Sequence, residues 1–291
     1  MKHEYNFWVV GGDKRQGELA RLLAQDGHTV HTYALERADA EAPGLTAADS
    51  LLRVDKADCV IFPLTICAGE GLLNAPLSPS RHPLAPILER LSPEQFLCGG
   101  RIAPEVQALA GARGLTIHDY FAREELAVAN AVPTAEGAIQ LAMEHMPITI
   151  HGARVLVTGF GRVGRITAQR FAALGARVSV AARRYEQLAW AQAMGLGAEH
   201  LEQLAGWLCG YDLVVNTIPF PVLGRPELED LRQDCLILDL ASMPGGVDLA
   251  AAEELGLTAL QALALPGKVA PVTAGAAIKS TLYNMLREAG Y

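Results

Sequence analysis

The chain has 291 residues, 51% of them hydrophobic, and a formal charge of −8 at pH 7, with a pI near 5.5. That length suits two domains of ordinary size, each with a substantial core. A nucleic-acid-binding role needs a basic face to neutralise phosphates, and nothing in this acidic balance suggests one.

In chain order, Phe7–Val10 is the first predicted strand. The N-terminus runs into it without the apolar stretch or cleavage site of a signal peptide. Gly11-Gly12 then opens a helical stretch from about Lys14 to Gln25. Thr29–Tyr33 and Asp58–Phe62 are the next strands, and residues 36–56 read as irregular and loop-like. Pro76, Pro79, Pro83 and Pro86 mark an irregular surface segment. Phe96–Cys98 and Thr116–Asp119 complete a five-strand reading, with a helix from about Pro104 to Ala112 between them. Such alternation implies a parallel sheet with helices on both faces.

Pro133 is expected in the first turn of a long helix through Ala135, Ala138, Ile139, Ala142 and Met146. There its missing N–H would lack an intrahelical partner anyway. A second αβ series begins at Arg154, with strands at Arg154–Thr158, Arg177–Val180, Leu213–Asn216, Leu236–Asp239 and Thr258–Gln261. A last helix, about Thr273 to Glu288, is expected to pack back on the first domain. No apolar run approaches the ~18 residues of a transmembrane helix, so no membrane role is expected.

The strongest motif follows Val155-Leu156-Val157-Thr158, where Gly159-Phe160-Gly161-Arg162-Val163-Gly164 leads into a helical pattern. Gly159 permits the tight turn, Gly161 lets a pyrophosphate approach the backbone, and Gly164 lets the helix pack closely on the strand. The pyrophosphate would rest on the N–H groups and positive end of that helix. A bare GxGxxG is weak, but here strand, helix and second strand are all in place. NAD sites usually carry Asp or Glu at the end of that second strand. This chain reads Ala181-Ala182-Arg183-Arg184, and guanidinium groups suit a 2′-phosphate, so NADP is the expected cofactor. Thr217 and Pro219, then Ala241 and Ser242, follow two later strands at carboxyl ends, where ligands of such sheets bind. Thr217 and Ser242 serve equally well as loop-capping residues.

The fold class expected is therefore α/β with two doubly wound αβ domains, the second a Rossmann dinucleotide-binding domain. Residues 1–130 form a flavodoxin-like αβ substrate domain and 131–150 a linking helix. Residues 151–270 form the NADP-binding domain and 271–291 the C-terminal helix. The five cysteines are scattered and form no CxxC, the usage of a reduced cytoplasmic protein. The eight histidines show no metal-ligand spacing. None follows His200, which argues against a hydroxy-acid dehydrogenase, whose His would move the alcohol proton.

Several segments together resemble one family. They are Gly11-Gly12-Asp13-Lys14-Arg15-Gln16, Thr65 with Gly69-Glu70-Gly71, and Asn130-Ala131-Val132-Pro133-Thr134-Ala135-Glu136-Gly137. Gly159–Gly164, Leu238–Gly246 and Leu265–Gly275 complete the set. Across nearly its whole length the chain resembles the dipicolinate synthase A-subunit family of spore-forming bacteria. Lys268 and Val272 depart from the expected pattern. The resemblance implies oxidation of dihydrodipicolinate to dipicolinate with NADP⁺, in the mother-cell cytoplasm of a sporulating bacterium. It also implies a second, flavoprotein-like dipicolinate synthase B-subunit for a partner, an oligomeric assembly, and a formate/glycerate-dehydrogenase-like architecture with a cleft between two αβ domains.

For a cyclic dicarboxylate, Arg15 is the first candidate for carboxylate binding, because guanidinium matches carboxylate bidentately. Thr65, Glu70, Asn130, Thr134, Glu136 and Ser242 are the other candidate substrate-side residues. Glu136 or Glu70 could take a proton, although a carboxylate beside a dianion is awkward, and Glu136 could instead cap the helix. Two alternatives stay open: another NAD(P) dehydrogenase of hydroxy-acid or alanine-dehydrogenase type, and a non-catalytic dinucleotide-sensing subunit.

Overall fold

The computed structural model describes residues 4–38 and 41–291. The chain divides into two units, Met1–Ala129 with Ala270–Tyr291, and Asn130–Val269.

The first unit opens with β1 (Asn6–Val10), α1 (Lys14–Gln25), β2 (Thr29–Tyr33), β3 (Leu45–Ala47) and β4 (Cys59–Leu64). It continues with α2 (Leu84–Leu88), β5 (Phe96–Gly100), α3 (Pro104–Gly111) and β6 (Ile117–Asp119), and then α4 (Glu124–His145) begins. The second unit contains β7 (Arg154–Thr158), α5 (Arg162–Ala173), β8 (Arg177–Ala182), α6 (Tyr185–Ala193) and β9 (Gly197–His200). It ends with β10 (Leu213–Asn216), α7 (Arg225–Glu229), β11 (Leu236–Asp239), α8 (Leu249–Glu254), β12 (Thr258–Gln261) and α9 (Leu265–Val269). The final helix, α10 (Pro271–Glu288), belongs to the first unit.

Among the described residues each unit is built on a six-stranded parallel sheet, ordered β3-β2-β1-β4-β5-β6 and β12-β11-β10-β7-β8-β9. Both are the doubly wound order, with a switch point between β1 and β4 and another between β7 and β10. The central strands of each sheet are covered on both faces and read as continuous apolar runs. Alternation then sorts them: Phe7 and Val9 pack with Leu19, Leu23, Ile278 and Leu282, while Trp8 and Val10 pack with Ile87, Leu88 and Val106. In the second unit Val155 and Val157 join one core, and Leu156 the other.

Three expectations need correcting. The five-strand reading of the first domain omits β3, which lies inside the segment expected to be loop. Its five strands alone follow the flavodoxin order, and β3 extends that sheet by one edge. The second domain likewise has a strand, β9, that was not expected. Both are short edge strands with half-exposed or exposed residues and no apolar run to announce them.

The third correction concerns the linking helix, placed at 131–150 with Pro133 in its first turn. In fact α4 starts at Glu124 and ends at His145, with Pro133 inside it. An internal proline has no N–H to donate to the carbonyl four residues back, here Ala129. The helix continues because Ala131, Ala135, Ala138 and Ala142 are completely buried along it. Gly137 lies where a Cβ would press on Leu265 at about 3.0 Å, so its bare backbone allows that approach within the second unit.

α10 packs on α1 through Gly275, whose Cβ position lies 3.0 Å from the Arg15 carbonyl oxygen. A polar clamp fixes the other end. Asp26 accepts from Lys279 Nζ and from the Tyr283 hydroxyl, both at 2.7 Å, and His28 Nε2 lies 3.0 Å from the same hydroxyl. Burial alone would raise the Asp26 pKa, but the hydrogen bonds from Lys279 and Tyr283, with the Lys279 charge, hold it below the ordinary value. A depressed carboxyl pKa contributes stability that is present above the unfolded value and lost as pH falls through the folded one. Asp26→Asn is therefore expected to cost at most about 1 kcal/mol at pH 7, since the pair is partly solvated. The deficit should shrink as pH falls from the ordinary aspartate range through the lowered folded pKa, as read from urea unfolding midpoints at pH 7 and across the acid range.

Candidate functional site

In the second unit the Gly159–Gly164 turn joins the end of β7 to α5, beside the switch point. Gly159 has φ +93°, and a Cβ there would lie 2.5 Å from Thr217 Oγ1. At Gly164 a Cβ would fall on the carbonyl oxygen of Gly159 itself. Gly161 differs: nothing lies within 4 Å of its Cβ position, although its φ of −81° suits any residue. The first and third glycines are thus required by the protein's own packing, whereas the second faces open space. Gly161 is also the N-cap of α5 and supplies no capping side chain. First-turn N–H groups have no intrahelical partner. This cradle fits a dinucleotide pyrophosphate.

The neighbouring residues are braced. Phe160 turns its ring into the core and is 1% exposed, so only its backbone faces the turn. Arg165 sits over that ring at 5.4 Å and donates through Nε to the Phe160 carbonyl. Arg162 is exposed and Val163 half-buried on the first turn. Thr217 donates to the Thr158 carbonyl at 2.8 Å, so its hydroxyl joins the β10 loop to β7. Pro219 is exposed on the same loop, Ala241 is buried and Ser242 is half-buried.

Beneath these loops runs a buried polar chain that reading the sequence missed. Thr158 Oγ1 donates to Asn216 Oδ1 at 2.7 Å, and Asn216 Nδ2 donates to Asp239 Oδ1 at 2.8 Å. Asp239, 1% exposed, also accepts from the N–H groups of Ala241 at 3.0 Å, Gly246 at 2.8 Å and Val247 at 3.3 Å. One carboxyl group therefore wraps the 240–247 loop around itself. A signal was available: β7, β10 and β11 are apolar strands that each end in one buried polar residue.

At the end of β8, Arg183 and Arg184 are exposed. Arg184 pairs with Glu186 at 3.0 Å, while the Arg183 guanidinium has no partner among the described residues.

In the first unit the corresponding switch point carries Gly11–Arg15 and Leu64–Thr65. Asp13 caps α1 in a capping box with Gln16. The same carboxylate grips Arg15 through Nε at 3.0 Å and Nη2 at 2.7 Å, and Nη2 also reaches the Leu64 carbonyl at 3.3 Å. Arg15 is 6% exposed. It stands where expected, but the bidentate edge meant for a substrate carboxylate is occupied by Asp13. Thr65 follows a cis peptide bond, and its hydroxyl donates to the Cys67 carbonyl at 3.2 Å. Burial pushes the Tyr120 phenol well above its usual pKa, so it stays protonated and donates to the Phe62 carbonyl at 2.9 Å. Glu70 lies on an exposed turn with φ +51°, 3.7 Å from exposed Arg81.

Asn130, Thr134 and Glu136 lie within α4, not at its start as expected. Thr134 donates to the Asn130 carbonyl at 2.7 Å, Asn130 is buried with Oδ1 unpartnered, and Glu136 is exposed. Glu136 therefore caps no helix start.

Doubly wound sheets with this glycine turn define a dinucleotide-binding, dehydrogenase-type α/β protein. Residues 107–222 match the D-isomer specific 2-hydroxyacid dehydrogenase NAD binding domain, and residues 6–121 match the N-terminal domain of the dipicolinate synthase A-subunit. The dipicolinate synthase A-subunit of Bacillus subtilis (strain 168) is 35% identical over 282 residues, 96% of this chain and 95% of that protein. The chain therefore belongs to the dipicolinate synthase A-subunit family. The crystal structure of the A-subunit from Bacillus halodurans is 32% identical with a TM-score of 0.89, covering 97% of both chains. That of its counterpart from Bacillus subtilis is 34% identical with a TM-score of 0.88, covering 99% of this chain and 97% of that one. The fold class is that of formate/glycerate dehydrogenases. None of the helices among the described residues is long and apolar enough to cross a membrane.

Proposed function

We propose that this chain is the NADP-dependent dehydrogenase subunit of a dipicolinate synthase. It oxidises dihydrodipicolinate to dipicolinate during spore formation, in the mother-cell cytoplasm, and works with a flavoprotein-like second subunit. Family membership supports this choice of substrate class. The observation that carries the cofactor is the end of β8, where Arg183 and Arg184 stand in place of the carboxylate that NAD-specific sites use. A carboxylate would repel a 2′-phosphate, whereas a guanidinium fork binds it.

In this reading, the N–H groups opening α5 hold the pyrophosphate, and the loops after β10 and β11 (Thr217, Pro219, Ala241, Ser242) face the nicotinamide half. When bound, the nicotinamide supplies a hydride acceptor. The ring of the substrate loses a hydride from one carbon and a proton from its neighbour, and becomes aromatic. Aromatisation supplies much of the driving force, so the residues chiefly bind and orient. Arg15 keeps Nη1 for a carboxylate, and Thr65, Asn130, Thr134 and Ser242 supply hydroxyl or amide groups. Glu70 and Glu136 are exposed candidates for accepting the proton.

The test follows NADPH absorbance with 4-hydroxy-tetrahydrodipicolinate as precursor, using this chain alone and with the second subunit, and NAD⁺ as control. NADPH formation with dipicolinate as product supports the proposal. Cofactor binding without turnover in either condition would favour a dinucleotide-sensing subunit.

A further inference from the structure

β9 pairs with β8 in a register that sets His200 beside Ala182, at the same carboxyl end that presents Arg183 and Arg184. His200 Nε2 lies 3.0 Å from the Arg183 carbonyl oxygen, and Nδ1 lies 3.4 Å from the Glu202 N–H. A carbonyl only accepts and an amide N–H only donates, so one neutral tautomer, protonated at Nε2, satisfies both. The ring thereby ties the backbone of Arg183 to the turn that leaves β9. Tyr185, 77% exposed, lies against the same imidazole with ring centroids 5.3 Å apart.

The two arginines are not equivalent here. Arg184 is partly neutralised by Glu186 at 3.0 Å, and its backbone is the N-cap of α6. Arg183 has no side-chain partner among the described residues, and its carbonyl is the group that His200 holds. A long flexible cation loses rotamer freedom when it binds an anion, and fixing its backbone reduces what remains to be ordered.

We infer that Arg183 reads the 2′-phosphate of the dinucleotide and that His200 is its positioning residue, acting through the Arg183 backbone without touching the phosphate. This rests on the NADP reading above. It explains why a histidine with no place in proton transfer ends an edge strand at this point.

The test measures equilibrium binding of two adenosine probes, 2′,5′-ADP and 5′-AMP, which differ only in the 2′-phosphate. Arg183→Ala should weaken 2′,5′-ADP about tenfold or more, the scale of a charge-assisted hydrogen bond, and leave 5′-AMP within about twofold. Arg184→Ala should have the smaller effect. His200→Ala should weaken 2′,5′-ADP about fivefold while 5′-AMP holds within about twofold. His200→Gln, which keeps a donor for the Arg183 carbonyl, should restore most of the preference. Unchanged 5′-AMP binding shows that each variant is folded at the site. A wild-type preference that collapses in Arg183→Ala but survives in His200→Ala overturns the role of His200 alone. A wild type that binds both probes equally overturns the NADP reading itself.

Discussion

Replacing Gly164 with alanine is expected to weaken dinucleotide binding sharply and to destabilise the second unit. The new methyl would fall on the Gly159 carbonyl oxygen, with the Gly159 carbonyl carbon at 2.9 Å and Thr217 Oγ1 at 3.1 Å. Two of those three atoms are backbone and cannot swing aside. Gly159 has φ +93° and ends a fully buried strand segment, so the turn yields only by separating α5 from β7. Overpacking of this kind typically costs about 1–3 kcal/mol. Displacing the turn also moves the N–H groups assigned to the pyrophosphate, so NADPH affinity should fall on the order of a hundredfold, about 2.7 kcal/mol. Gly161→Ala separates the two effects. Its methyl enters open space with an ordinary φ, so stability should hold while NADPH affinity falls by a similar factor. Thermal unfolding and NADPH fluorescence titration on both variants read the split. A Gly161→Ala protein that binds NADPH like wild type would move the pyrophosphate away from this turn.

The second large effect is expected at Asp239. Asparagine there turns an NH₂ group toward N–H groups of the loop or toward the Asn216 amide, all of which now donate to the carboxyl. At 1% exposure, water cannot replace the lost acceptor. Leaving buried donors unsatisfied costs about 1–3 kcal/mol each, and the net loss should be about 2–4 kcal/mol after the loop relaxes. The functional consequence is directional. The loop carrying Ala241 and Ser242 follows β11, whereas Arg183 follows β8 on the other side of β7. Asp239→Asn should therefore leave 5′-AMP binding within about twofold, because distant sites behave independently. NADPH binding should weaken about tenfold or more if this loop meets the nicotinamide half. Equal losses for both ligands would show general unfolding and sink the directional reading.

Much of this was legible in the sequence where a residue's partner is local or its pattern long. The glycine turn could be read because strand, turn and helix are contiguous, and each glycine's demand follows from its place among them. The buried central strands announced themselves as apolar runs. The edge strands β3 and β9 did not: Leu45-Thr46-Ala47 and Gly197-Ala198-Glu199-His200 are short and largely exposed. Pro133 misled because proline favours a helix start, yet α4 carries it internally with buried alanines on either side. Arg15 was legible in place but not in state, since the Asp13 that caps the helix also binds its guanidinium. Asp239 was hidden for a different reason: three of its partners are backbone N–H groups, which any sequence provides, brought back by a loop. The contact of His200 with Arg183 depends on a strand pairing that no periodicity signals.

The most direct measurement is a pair of titrations on the wild-type chain, NADPH against NADH, by nucleotide fluorescence at matched ionic strength. A dinucleotide held on the Gly159–Gly164 turn with Arg183 at its 2′-phosphate should bind as NADPH at least about tenfold more tightly than as NADH. Equal affinities, or a preference for NADH, would contradict it.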